Sequence, residues 1–398
     1  MAQHESGSGP GDAAASLFER VLARARELGA SDLHVEPTPG GGRVRMRLRG
    51  ALREVMALDA GELTGLVNNL AAMAALDPVH DPLPADGRLT LPPELGGNQL
   101  RITLLPCTRG LVAAVRLLPD EKVGWDLAMQ GFAVADLEVL RDLLRQRHGL
   151  VLVGGPAGAG KTSLLYALMR ELVSPERQLV SIEDPVMADL LGVNQVQVDP
   201  ARGVTFAAAI RGFLRADPDC IAVEKLWDAE TARAALEAAL TAHLVLATLH
   251  CTDAAAAIGR LLEMGIQPYL VAAALLGVVV QRQVRRVCAD CREPYLISRD
   301  YLQSLGIPCA TDSVSVFRAR REGCETCRHR GYHGQTGIHE VLPMTPELAA
   351  LVLRRAEVPA LRAHARASGV ASLYHDGFLK VMEGSTTIDE VLRATRQD

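Results

Sequence analysis

Gly155-Pro156-Ala157-Gly158-Ala159-Gly160-Lys161-Thr162 fits G-x-x-x-x-G-K-[ST], the spacing of a loop that wraps phosphates. Its surroundings are those the motif requires. Leu150-Val151-Leu152-Val153 is a short apolar run suited to a buried strand, and Thr162-Ser163-Leu164-Leu165-Tyr166-Ala167-Leu168-Met169 is a strong helix former. Glycines let main-chain N–H groups close on the phosphates, and the start of the helix adds positive potential. Lys161 is expected to reach the β- and γ-phosphates and Thr162 to offer its hydroxyl to Mg²⁺, with Gly155 to Ser163 forming the nucleotide cradle. The bland alternative, a Gly-rich turn between strand and helix, sits poorly with the complete strand–loop–helix setting.

At 398 residues the chain is long enough for two or three domains with substantial cores. Charged residues make up 22% and the net charge is −5, so no basic bias points to nucleic acid as a direct partner. Met1-Ala2-Gln3-His4-Glu5 lacks a basic segment followed by an apolar one, which predicts no signal peptide and a cytoplasmic protein. The longest apolar stretch, Tyr269 to Val280, is too short to span a bilayer and is expected to be a buried helix.

Residues 1–14 are rich in Gly, Ser and Ala and read as a disordered tail. A small α/β region follows over 15–119, with a helix over Leu17–Leu28. Arg43-Val44-Arg45-Met46-Arg47-Leu48-Arg49 alternates strictly, predicting a strand with one buried and one cationic face. That face is either solvated or presented to phosphate or a neighbouring subunit.

Three further segments end as strands in polar residues: Leu179–Asp184, Cys220–Lys225 and Leu244–His250. The chain therefore reads as α/β with a parallel sheet, whose ligands bind at the carboxyl ends of the strands. This gathers Glu183, Glu224, Lys225 and His250 beside the phosphate loop. A nucleotide hydrolase needs such a set, namely a carboxylate for water, ligands for Mg²⁺ and a γ-phosphate sensor. For Glu183 or His250 taken alone, structural hydrogen bonding is an equal reading.

With these segments in view the chain resembles the secretion ATPases of type II secretion and type IV pilus assembly. The matching motifs are Ala30-Ser31-Asp32-Leu33-His34-Val35-Glu36-Pro37, Asp86-Gly87-Arg88, the phosphate loop, Ser181-Ile182-Glu183-Asp184-Pro185-Val186, Gly192 to Val198, Leu214 to Asp219, and Thr241 to His250. The resemblance implies a PAS-like N-terminal α+β domain over 15–119 and a RecA-like ATPase core over 120–285, assembled as a hexamer with ATP between subunits. It further implies Glu183 as the water-polarising base, His243 and His250 as a histidine box in which His250 senses the γ-phosphate, and Arg88 and Arg101 as guanidinium ligands of the nucleotide. The implied partners are an inner-membrane platform protein and a membrane-anchored docking protein, which would make the chain peripheral at the inner membrane.

Cys288-Ala289-Asp290-Cys291 and Cys324-Glu325-Thr326-Cys327 are two C-x-x-C pairs, enough thiolates for one tetrahedral Zn²⁺. Their separation exceeds the usual ribbon spacing. The resemblance supports the site, since assembly and secretion motors carry such a module and retraction motors generally lack it. A zinc module over 286–340 and a helical region over 341–398 are expected. Cys107, Cys220, Cys251 and Cys309 read as packing residues.

The Walker B region departs from the family, which has Gly-Glu where this chain has Glu224-Lys225. Strand residues alternate in direction, so Glu224 is not expected to replace a carboxylate at 225 without a bulge. Lys225, one of four lysines, would put a cation where Mg²⁺ should sit. The expected function is an ATPase powering pilin or pseudopilin assembly. The alternative is a catalytically weak or inactive nucleotide-binding paralogue with a structural role, in a ring mixed with an active homologue.

Overall fold

The computed structural model describes residues 10–48, 51–80, 84–92, 95, 97, 99–117, 125–305, 307 and 310–395. They fall into two compact units divided after residue 123.

The first unit is α+β. Its strands are β1 (Asp32–Thr38), β2 (Gly41–Leu48), β3 (Ala51–Leu58), β4 (Ala85–Thr90), β5 (Gln99–Cys107) and β6 (Gly110–Leu117). They form one antiparallel sheet in the order β3-β2-β1-β6-β5-β4. Asp59 and Glu62 close a capping box that starts the Ala60–Met73 helix, satisfying amides that have no partner inside the helix. That helix and Pro10–Leu28 bury Phe18, Leu22, Leu66 and Leu70 with Leu33, Val44, Met46 and Ile102 of the sheet. The first helix begins at Pro10 and not at Leu17, so residues 10–14 of the expected disordered tail are helical. Residues 1–9 lie outside the described residues.

In β2, Val44 and Met46 are buried, as alternation requires. Across the register Glu36 opposes Arg43 and Asp32 opposes Arg47. Glu36 accepts from Arg43 at 2.9 Å and Arg45 at 2.5 Å, and Arg47 lies 3.8 Å from Asp32. The expected cationic face is therefore largely neutralised by carboxylates of β1.

The second unit is built on β7 (Gly149–Gly154), β8 (Leu179–Glu183), β9 (Val193–Gln197), β10 (Cys220–Val223), β11 (Leu244–Leu249) and β12 (Leu275–Val287). These pair in parallel, and β13 (Glu293–Ser298) with β14 (Ser313–Arg318) forms a separate ribbon before β15 (Tyr332–Pro343) returns antiparallel to β12. The main sheet runs β15-β12-β7-β11-β10-β8-β9. Its central strands are buried on both faces, which explains their unbroken apolar runs. The Val134–Leu144 and Lys161–Leu172 helices share one apolar cluster with the sheet. The Ala229–Leu240, Ala254–Glu263 and Pro268–Ala274 helices share the other.

Two sequence expectations change here. Tyr269–Val280, read as one buried helix, is half helix and half strand, because the β-branched Val278-Val279-Val280 favour the extended backbone of β12. Residues 332–340, assigned to a cysteine module, belong to β15 of the main sheet. Cys220 and Cys251 are buried, Cys107 is exposed, and Cys309 lies outside the described residues. Among the described residues no helix is long and apolar enough to cross a membrane.

Ala242, just before β11, holds φ at +74°, a left-handed conformation that costs a residue with a Cβ about 1–2 kcal/mol. Ala242→Gly is expected to raise unfolding stability by roughly 0.5–1 kcal/mol after glycine's own entropy is offset. Urea unfolding monitored by circular dichroism measures it.

Candidate nucleotide site and four-cysteine cluster

β7 ends at Gly154, and the chain turns through Gly155 to Gly160 into the Lys161–Leu172 helix. Two glycines here are obligatory. Gly155 and Gly160 have φ of +152° and +81°, and a Cβ on them would lie 2.6 Å from the Gln281 carbonyl oxygen and 2.5 Å from Gln283 Nε2. The loop is thus seated directly on β12, with Lys161 Nζ donating to the carbonyls of Gly155 at 3.0 Å and Pro156 at 2.8 Å. Burial pulls the Lys161 pKa below its ordinary value.

A cavity of about 390 Å³ opens over the loop, lined by Lys161, Thr162, Glu224, Lys225, Thr248 and Gln283 among others. Glu224, 5% exposed, shares its sheet face with Ala222 and points towards the helix start, where the Thr162 hydroxyl donates to its Oε1 at 3.4 Å. Its Oε2 accepts the Asp184 main-chain N–H at 2.6 Å. Glu224 thus lies beside the loop, on the side of the sheet that carries the Lys161–Leu172 helix, and Lys225 occupies the next position. Burial raises the Glu224 pKa to about 7. Lys225 Nζ donates to the Asp184 carbonyl at 2.6 Å, lies 4.0 Å from Glu224 Oε2 and stands 5.2 Å from the Trp227 ring centre. The Thr162 hydroxyl, a hard oxygen donor of the kind that suits Mg²⁺, lies beside the Glu224 carboxylate.

Glu183 is 0% exposed. Its Oε1 accepts from Ser181 at 2.6 Å and Gln195 at 2.9 Å, and its Oε2 accepts from Tyr166. Tyr166 in turn accepts from the Met187 and Ala188 amides, and its own pKa is pushed upwards by burial and then by Glu183. The residue expected to be the base is thus held by three donors. His250 is exposed and faces a neighbouring cavity of about 490 Å³ with Trp227, Cys251 and Arg260. His243 precedes β11, at the end of that central strand opposite His250, against the Ala238 carbonyl. Arg88 and Arg101 are register partners in the first unit, where Arg101 pairs with Asp86 at 2.9 Å.

Sequence reasoning missed Tyr166, Gln195, Gln281, Gln283 and His339. Gln195 carried a signal as part of the Gly192 to Val198 motif, and Gln281 and Gln283 as polar residues at i and i+2 directly after an apolar run.

The four cysteines come together. Cys288 follows β12, Cys327 precedes β15, and all four Sγ atoms lie within 4.8 Å of one another. Sγ separations are 3.8 Å for Cys288–Cys324, Cys291–Cys327 and Cys324–Cys327. Thiolates about 2.3 Å from a tetrahedral zinc would be about 3.8 Å apart, so the cluster has the dimensions of that site. Main-chain amides of Cys324 and Gly331 point at Cys327 Sγ at 3.1 and 3.2 Å.

The family described as type II/IV secretion system protein matches residues 11–393. The chain belongs to that family. The type II secretion system ATPase E of Vibrio cholerae is 39% identical over 96% of this chain and 75% of its own length. The type II secretion system protein HxcR of Pseudomonas aeruginosa is 40% identical over 96% and 77%. The type IV pilus assembly ATPase PilB of Thermus thermophilus is 38% identical over 96% of this chain and 43% of its own. Among solved structures, the pilus retraction motor PilT with bound ADP superposes with a TM-score of 0.70 at 21% identity, covering 96% and 97% of the two chains. The ATPase DotB of Legionella pneumophila gives 0.67 at 19%, covering 98% and 97%. These structures establish the RecA-like fold alone. With its relatives named as ATPases, this family member is a P-loop ATPase.

Tyr166→Phe removes one donor from a buried carboxylate. It is expected to lower unfolding free energy by roughly 1–3 kcal/mol in urea titrations, while Thr241→Ala, at an exposed helix end, changes it by less than about 1.

Proposed function

We propose that this ATPase drives pilin or pseudopilin assembly as a ring of six copies at the cytoplasmic side of the inner membrane, held there by a platform protein and a membrane-anchored docking protein. The observation that carries the reading is the phosphate loop with Thr162 and Glu224 converging on one cavity, in a chain that covers about three quarters of two secretion relatives. No observation favours a non-catalytic role.

Within the site, Lys161 turns from its loop carbonyls to the β- and γ-phosphates, and the amides of Gly158 to Ser163 bind the phosphate oxygens. Thr162 would hold Mg²⁺, which supplies charge neutralisation across the β- and γ-phosphates when bound, and Glu224 beside it stays free to take a proton. Water attacks the γ-phosphorus in line, the bond to the β,γ-bridging oxygen breaks, and the water proton passes to a carboxylate. Glu224 suits this role better than Glu183, because its pKa lies near neutral pH and it faces the cavity. Glu183 then acts as a structural anchor for the Tyr166 and Gln195 side chains. His250 senses nucleotide from the neighbouring cavity, and Arg88 and Arg101 bind phosphate as fork-shaped donors. Zinc held by Cys288, Cys291, Cys324 and Cys327 is structural, since four thiolates leave no open position.

Three measurements test this. Steady-state hydrolysis with Mg²⁺ should exceed that of Lys161→Ala, and Glu224→Gln should lower kcat by about 10²–10⁴-fold. Turnover equal to Lys161→Ala in the native chain but restored in Lys225→Glu would show instead that Lys225 disables the site. The carboxylate must be ionised to take a proton, so kcat/KM should fall as pH drops below about 7, and this limb should vanish in Glu224→Gln. Metal analysis should find about one zinc per chain, lost in Cys291→Ser.

A further inference from the structure

β12 turns Gln281 and Gln283 to the same side, under the phosphate loop. Gln281 is 1% exposed, and its Nε2 donates to the carbonyls of Ala159 at 2.9 Å and Gly160 at 3.3 Å. With its nitrogen committed to two acceptors, the amide presents only Oε1 on its other side. That oxygen lies 2.8 Å from His339 Nε2. An amide oxygen cannot donate, so Nε2 must carry the His339 proton and Nδ1 must be bare.

Everything around His339 fixes this state. The residue is 0% exposed, and its ring stacks on Phe132 at 3.6 Å with the planes 19° apart. Its Nδ1 is buried without a hydrogen-bond partner, so a second proton there would bury an unpaired charge. Its main-chain N–H is held by Asp376 Oδ2 at 2.8 Å, and Asp376 is paired with Lys380 at 2.5 Å. Gly337 leaves the ring its space, since a Cβ there would come within 2.5 Å of His339 Cε1.

We propose that Gln281 and His339 are positioning residues, a buried two-link relay that fixes the Ala159 and Gly160 carbonyls and so aims the following amides at phosphate. The inference rests on the nucleotide reading of the loop. Neither residue touches nucleotide. Gln281 holds the peptide planes whose opposite ends are the N–H groups of Gly160 and Lys161, and His339 holds Gln281. The links act in series, so losing His339 loosens the loop through Gln281, losing Gln281 releases it outright, and losing both releases it no further.

The test uses the full-length, zinc-loaded chain with a fluorescent ADP analogue as probe. Gln281→Leu should raise the dissociation constant about tenfold and His339→Phe, which keeps the ring stack, several-fold. The double variant should match Gln281→Leu alone, the non-additivity of groups that act as one unit. KM for ATP should rise in the same proportion with kcat held within about threefold. Additive effects, or unchanged affinity in a folded Gln281→Leu, would overturn the relay. Independently of any variant, the ¹⁵N shifts of His339 should report the Nε2–H tautomer, and an Nδ1–H tautomer would overturn it too. Native protein binding the probe no better than Lys161→Ala would sink the nucleotide reading, and the tautomer result separates that failure from failure of the relay.

Discussion

The close approach of the phosphate loop to β12 is the constraint on which the nucleotide site depends. A loop that offers its amides to an anion must turn its carbonyls elsewhere, and in a packed interior those carbonyls need donors. Gln281 supplies them from the adjacent strand, and it can do so only because Gly155 and Gly160 bring no side chain between loop and strand. The glycines of the motif therefore serve the protein side of the loop as much as the phosphate side. Lys161 closes the same arrangement from above through the Gly155 and Pro156 carbonyls.

Two carboxylates end neighbouring strands and meet opposite environments. Glu183 accepts three side-chain hydrogen bonds and shows no exposure, while Glu224 takes a single main-chain amide, one long hydroxyl contact and a nearby ammonium. Environment, not residue type, divides such pairs into different roles. Burial is the dominant influence on Glu224 and lifts its pKa to about 7, which leaves it able both to hold and to release a proton near neutrality. Lys225 does not cancel this, because its ammonium is bonded to the Asp184 carbonyl and partly solvated.

The sheet was legible in the sequence because its strands are buried on both faces and so read as short apolar runs closed by polar residues. The loop, the helix after it and the strands ending near Glu183, Val223 and Leu249 follow from that pattern alone. The 269–280 segment was misread because periodicity cannot separate a short buried helix from a buried strand, and here the chain switches from one to the other at Leu275. The arginines of β2 looked cationic because their neutralising carboxylates sit on the neighbouring strand, a pairing that only register reveals. His339 and Tyr166 were invisible for the same reason, since their partners lie on other elements at distances along the chain that no local pattern encodes. His250 stands at the strand end as expected, yet faces the cavity beside the loop's own.

β12 unites these features. Its first half pairs with β7 and brings Gln281 and Gln283 under the loop, and its far half pairs with β15 down to Val287 opposite Tyr332. The next residue is Cys288, whose main-chain N–H meets the Gly331 carbonyl at 2.9 Å, and the cysteine cluster closes the ladder there. A metal ion bound there would tie the two strands together across the long chain between them, whose closure carries an entropic cost that grows with its length. The His339 that supports Gln281 sits on β15, so the register of β15 against β12 sets where that support falls: Gln281 opposes His339 in the ladder. A slip of one residue would turn the imidazole to the other face of the sheet and leave the glutamine without its partner. The cluster at the end of the ladder and the phosphate loop at its middle are thus joined by one pair of strands.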